Sequence, residues 1–99
     1  MKKIDEIREK FNNEIIQLSD TKYFIAINHD GVELLMGILD EDEEGVCGYI
    51  CRGGENFGIK NGTITSCPNN SLKIQYQTKL ATMLSIEEAK EKYDLVDGK

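Results

Sequence analysis

The sequence contains no tryptophan, one proline and one histidine, His29. Its apolar residues nowhere form a run of the roughly 18 residues needed to cross a membrane as a helix. The first residues, MKKIDEIREKF, lack the apolar core of a signal peptide, so a cytoplasmic protein with no membrane partner is expected. With one histidine, any acid–base site depends on other groups that the fold would have to bring to it.

Cysteine is also scarce. The three cysteines are an odd number, so they do not make a full disulfide framework, and free thiols are expected in a reducing compartment. Cys47 and Cys51 lie four residues apart on a predicted strand, about 13 Å apart, which is too far to share one ion. Cys67 or His29 would have to complete such a site. The sequence therefore predicts reduced cysteines, no metal ion and no cofactor.

Basic residues are almost missing from the middle of the chain. The formal net charge is −6, and residues 30–55 hold eight acidic residues against Arg52 alone. A block of this sign repels nucleic acid and attracts basic surfaces or cations. We therefore expect no direct contact with nucleic acid, and a protein partner with a basic surface, such as a nucleic-acid-binding protein.

The hydrophobic period changes twice along the 99 residues. Apolar residues first recur every three or four positions, which predicts an amphipathic helix over residues 3–18. Near the other end, Ser85 and Glu88 form a capping-box pattern that predicts a helix over residues 86–96. The alternating stretches between them predict strands at 22–28, 32–39 and 46–52, with a turn at His29-Asp30-Gly31.

Two further features lie between the third strand and the last helix. Asn61-Gly62 is the dipeptide of a two-residue type I′ hairpin, which predicts that Ile59 faces Ile64 and that Phe57 points to the core. Residues 72–78 alternate and predict another strand, with no helix anywhere in 45–77. The expected fold is one α+β domain, residues 1–99, with an antiparallel meander of four to six strands flanked by an N-terminal and a C-terminal helix.

The acidic run at 40–44 has three interpretations. Part of it fits the calcium loop of an EF-hand, but the twelfth position is Cys51 and the predicted flanks are strands, which disfavours calcium. It is otherwise a solvated hairpin tip or a binding surface for arginines and lysines. A mobile glycine-rich loop presenting Arg52 and Phe57 would add interface anchors. The candidate interface residues are Asp40, Glu41, Asp42, Glu43, Glu44, Arg52, Glu55 and Phe57.

In size, acidity and lack of a catalytic set, the chain resembles phage-encoded inhibitors and toxin-immunity proteins. That resemblance implies a non-enzymatic binding protein of inhibitor or immunity type. The alternative is a small-ligand or nucleotide-binding domain that uses a sheet face and the glycine-rich loop at 52–62. A third hypothesis is a small enzyme in which Cys51 or Cys47 acts with His29. The oligomeric state does not follow from the sequence.

Overall fold

The computed structural model describes residues 2–11 and 16–95. Its elements in chain order are α1 (Lys2–Lys10), β1 (Tyr23–His29), β2 (Val32–Glu41), β3 (Gly45–Arg52), β4 (Ile64–Pro68), α2 (Asn69–Gln77), β5 (Ala81–Leu84) and α3 (Ile86–Tyr93). Short 3₁₀ segments lie at Leu18–Asp20 and Gly54–Phe57. No helix in the described ranges is long and apolar enough to cross a bilayer.

The five strands form one antiparallel sheet in the order β4-β3-β2-β1-β5. The first four strands are a meander of sequence neighbours. After α2 the chain returns to the free side of β1, where Leu84 of β5 lies opposite Phe24. The α+β prediction of an antiparallel meander with a helix near each end is confirmed.

The turn between β1 and β2 shows how local sequence sets the sheet. His29 pairs with Val32, so the loop holds two residues, Asp30 and Gly31, and not the predicted three. Both loop residues have positive φ, +54° and +82° respectively, as a type I′ turn requires. The side chain of Asn28 accepts a hydrogen bond from the Gly31 amide at 3.1 Å and holds the turn.

Side chains from both faces of the sheet are buried. On the α1/α3 face, Phe24, Leu35 and Tyr49 pack with Ile7 of α1 and Ala89 of α3. The opposite, α2 face is covered by the single helix α2. The residues buried between this face and α2 are Ile25, Met36, Ile38, Val46, Leu72 and Ala81.

On the α1/α3 face, the ring of Tyr49 lies over a glycine of the neighbouring strand. A Cβ atom placed on Gly37 would come within 2.5 Å of the Tyr49 Cζ atom, so the ring occupies the space that a side chain would need. The Tyr49 hydroxyl is 2.9 Å from Oγ1 of the buried Thr21, which in turn donates to the Gln17 carbonyl. The missing side chain thus lets a large ring pack and reach a polar partner.

The prediction of a strand at 72–78, and of no helix in 45–77, is wrong. This segment belongs to α2, which begins directly after Pro68, its N-cap residue. Leu72 and Tyr76 are four residues apart, and this spacing fits one helix face as well as one strand face. In the helix Leu72 is buried, whereas Ile74, which a strand would have placed beside it, is 60% exposed.

The turn at Asn61-Gly62 exists, but the predicted hairpin around it is wrong. The Thr63 amide donates to the Lys60 carbonyl at 3.1 Å. Ile64, however, pairs with Tyr49 of β3, and the amide of Ile59 donates to Gly54 instead of to a strand. Phe57 lies in the 3₁₀ segment and is 39% exposed, so its predicted core position is also wrong.

The two terminal helices are found, with shorter bounds than predicted. α1 ends at Lys10, and Leu18 lies in a separate 3₁₀ segment; residues 12–15 of the predicted helix are outside the described residues. α3 ends at Tyr93, and Val96 is likewise outside them. The predicted capping box is present, since Ser85 and Glu88 exchange two hydrogen bonds of 3.1 Å.

Candidate protein-binding surface

The first two residues of the acidic run, Asp40 and Glu41, are the last residues of β2 and lie in different surroundings. The Asp40 carboxylate lies 3.4 Å from the Lys22 ammonium group. The next residue, Glu41, is turned toward the α2 face, where its carboxylate accepts a hydrogen bond from the Tyr23 hydroxyl at 3.1 Å. Two adjacent carboxylates of the run therefore do not belong to one patch.

The turn that follows is held in place by its own residues and by α2. The Asp42 carboxylate accepts the amides of Glu44 and Gly45 at 2.8 and 3.1 Å. Asn69, the first residue of α2, donates to the carbonyls of Glu43 and Glu44. We call residues 42–44 the acidic tip. The side chains of Glu43 and Glu44 are exposed, and no cation among the described residues lies within ion-pair distance of them.

The remaining predicted interface residues are at the other end of β3. Arg52 is the last residue of that strand, and Glu55 and Phe57 lie in the 3₁₀ segment beyond it. A strand of eight residues spans about 23 Å between its first and last residues. The predicted interface is therefore two separate regions, and only one of them contains the acidic tip.

The glycine-rich loop uses its own backbone amides. The Gly54 amide donates to the Asn61 side chain at 3.0 Å, and the Ile59 amide donates to the Gly54 carbonyl at 2.8 Å. The Gly62 amide donates to Ile50 at 2.7 Å. A phosphate-binding loop needs such amides to point at the ligand. The loop geometry therefore does not favour nucleotide binding at these three amides.

The cysteines and the histidine are not brought together. Cys47 and Cys51 pack on the α1/α3 face, and burial raises the pKa of the Cys51 thiol, which disfavours the thiolate. His29 lies on the opposite, α2 face of the sheet, and its Nδ1 atom is 3.3 Å from the Asp30 carboxylate. In the described residues no three His, Cys, Asp or Glu side chains are arranged to hold a metal ion. No two of the cysteines form a disulfide bond in the structure, and that they are reduced in the native protein stays a prediction.

An open groove of about 440 Å³ begins beside Glu41 on the α2 face. It lies between α2 and the sheet, and its apolar walls include Tyr23, Leu72, Tyr76 and Met83. Burial, followed by the hydrogen bond to Glu41, raises the pKa of Tyr23 to about 12. The phenol is therefore neutral at physiological pH and keeps the proton that it donates in the hydrogen bond to Glu41.

A second depression of about 550 Å³ lies on the other side of Met83. Tyr23 and Met83 line both spaces, and the second is also lined by Leu84, Glu87, Glu88 and Lys22, among others. Met83 is 56% exposed although it lies on a strand. The sequence pattern does not reveal this surface, because the alternation at 72–78 predicts a strand, whereas this segment forms one wall of the groove as part of the helix α2.

Comparisons of the chain with models of protein families, with curated proteins and with solved structures found no match.

Proposed function

We propose that the protein is a non-enzymatic binding protein, of inhibitor or immunity type, that engages a basic surface on another protein. The observation that carries the proposal is the acidic tip. Its backbone is fixed by Asp42 and Asn69, while the carboxylates of Glu43 and Glu44 are exposed and have no cation within ion-pair distance among residues 2–11 and 16–95. Fixed charges of one sign raise the association rate with a partner of opposite charge and favour that partner over others.

The surroundings of the tip supply what a charged turn alone would lack. Next to it the groove presents Tyr23, Tyr76 and Met83, aromatic and methionine side chains of the kind enriched at protein interfaces. A partner that first meets the tip can therefore bury apolar surface beside it. Three cysteines without a disulfide bond suit the reducing cytoplasm, where we propose that the protein acts.

The test is capture of a partner from a lysate of the source cell, or of its natural target host, on immobilised protein at low and high salt. The informative variant is Glu43→Gln with Glu44→Gln, because neither side chain supports the turn. Its matched control is Glu9→Gln with Glu91→Gln, which removes the same charge from exposed positions of α1 and α3. Equal net charge in the two variants separates a local effect from general attraction.

We expect one protein to be retained by the wild type and by the control, and to be retained less by the tip variant. The loss should appear mainly as slower association at low salt, since exposed charges are screened at high salt. Each exposed carboxylate should contribute on the order of 1 kcal/mol or less. Equal retention by all three proteins, or no retained protein, would refute the proposal.

A further inference from the structure

The two edges of the sheet differ in how they are covered. At the β4 edge, the Arg8 guanidinium of α1 donates to the Ile64 carbonyl at 3.1 Å, so a helix occupies part of that edge. At the other end of the sheet, β5 pairs with β1 on one side only, and no strand of the described residues pairs with its outer side.

The hydrogen-bond pattern tells which groups of β5 point outward. The Asn28 amide donates to the Leu80 carbonyl at 2.7 Å, so these two residues form a hydrogen-bonded pair of the antiparallel ladder. Because such pairs alternate, Thr82 and Leu84 bond to β1, whereas Ala81 and Met83 direct their N–H and C=O groups away from it. Ala81 is only 5% exposed, so its outward groups are covered, whereas Met83 is 56% exposed. The outer edge of β5 therefore offers one donor and one acceptor, the N–H and C=O groups of Met83, to a further strand.

Charge differs between the two ends of this edge. Lys79 precedes β5 at its first end. At the Leu84 end lie Glu87 and Glu88 of α3, together with Glu41, which is hydrogen-bonded to Tyr23. Lys22 lies in the same region, but its positive charge is balanced by Asp40, whose carboxylate is 3.4 Å away. The negative charge of the three glutamates is therefore not offset. The Leu84 end is thus acidic, and it continues toward the acidic tip.

We propose that an extended segment of the basic partner adds to β5 as a sixth strand. This inference rests on the proposed function and names the form of the segment that binds. Successive residues of an added strand point to opposite faces. One set is apolar and packs beside Met83 and Tyr23 on the α2 face. The other set is basic and lies on the α3 side, where Glu87 and Glu88 meet it. The acidity of this surface disfavours a second copy of the same chain as the occupant.

A synthetic peptide of alternating lysine and valine, Lys-Val-Lys-Val-Lys-Val-Lys, is the probe. Titration into isotope-labelled protein, followed by amide NMR shifts, should place the largest shift at Met83. A second peptide carries N-methyl groups on the amides that would face β5, which removes its hydrogen bonds but not its charge. We expect this peptide to bind about tenfold more weakly, because backbone bonds to an edge supply affinity.

The variant Met83→Pro removes one outward N–H that β1 does not use, and proline is tolerated on an edge strand. It should weaken binding of the unmodified peptide by about tenfold, while Met83→Ile should change it by roughly twofold or less. Melting curves check that both variants fold. If Met83→Pro unfolds, the N-methylated peptide alone decides the question.

Each other outcome overturns the inference. Equal affinity for the two peptides, or shifts confined to the acidic tip, would mean that the edge is not the binding site. Absence of peptide binding would refute strand addition by this chemistry, and a dimer in sedimentation that Met83→Pro dissociates would identify a second copy as the occupant. The proposed function fails on a different result: no protein is captured from the lysate, or Glu43→Gln with Glu44→Gln retains the captured partner as well as the control does.

Discussion

The contact between Tyr49 and Gly37 can be tested by placing a methyl group between them. In Gly37→Ala, the new Cβ atom would lie 2.5 Å from Cζ and 2.7 Å from the hydroxyl oxygen of Tyr49. Carbon atoms pack at about 3.5–4.0 Å, so the ring has to move by roughly 1 Å and its hydrogen bond with Thr21 is disturbed. Overpacking of this kind costs about 1–3 kcal/mol, and we expect a loss near 2 kcal/mol.

A double-mutant cycle isolates the cause. Tyr49→Val removes the ring and should by itself cost about 3 kcal/mol. In that background Gly37→Ala should cost nothing, or stabilise by up to about 1 kcal/mol, since alanine is favoured over glycine in a strand. The two substitutions should therefore show a coupling energy of about 2–3 kcal/mol.

Urea unfolding, followed by circular dichroism, measures these differences through the midpoint and the slope. Gly31→Ala is the control, because Gly31 has a positive φ and no atom within 4 Å of a built Cβ. Its cost should be the same with Tyr49 or with valine. The reasoning is refuted if Gly37→Ala costs as much without the ring as with it.

Three further predictions concern the cap, the acidic tip and a tyrosine. Ser85→Ala should lower the free energy of unfolding by about 1 kcal/mol, and Ser85→Thr should restore most of it in thermal melts, because the hydroxyl caps the Glu88 amide. Asp42→Ala should cost about 1 kcal/mol in urea unfolding, and Asp42→Asn less, because the amide oxygen can still accept both turn hydrogen bonds; equal losses would contradict this. The pKa of Tyr23 is raised from 10.0 to about 12, so its stabilising contribution is complete below pH 10 and is lost as the pH rises toward about 12. Urea unfolding at neutral pH and at about pH 11 should show a larger loss for the wild type than for Tyr23→Phe.

Where the local sequence and the final packing agree, the fold could be predicted. The Ser85–Glu88 box and the turn at Asp30-Gly31 each follow from interactions within a few residues. Such features are visible in sequence because their geometry needs no distant partner.

The helix α2 could not be assigned in this way, because the segment from Leu72 to Tyr76 satisfies two periods at once. Only the sheet decides between them, since Leu72 is buried against Val46 and the other residues of the α2 face. The same ambiguity hid the groove, because its wall exists only if this segment is helical.

The acidic run at 40–44 is visible in the sequence, but the different surroundings of its residues are not. The run of carboxylates predicted one patch. In the structure Asp40 forms an ion pair with Lys22, Glu41 accepts a hydrogen bond from Tyr23, and Asp42 accepts hydrogen bonds from the turn backbone. These partners lie on separate segments, so their contacts depend on the register of β1 against β2, which the sequence pattern does not specify at that end.

The place of β5 beside β1 has a consequence for the newly made chain. Phe24 leaves the ribosome sixty residues before Leu84, its neighbour in the sheet. Until residues 80–95 dock, β1 is the outermost strand of the nascent meander. Phe24 and Ile25 are fully buried in the folded protein, but at this stage they lack part of their cover. Chaperones would meet the chain at this strand. Two crowded nascent chains could also exchange residues 80–95 through the same native contacts, which gives a swapped dimer without any new interface.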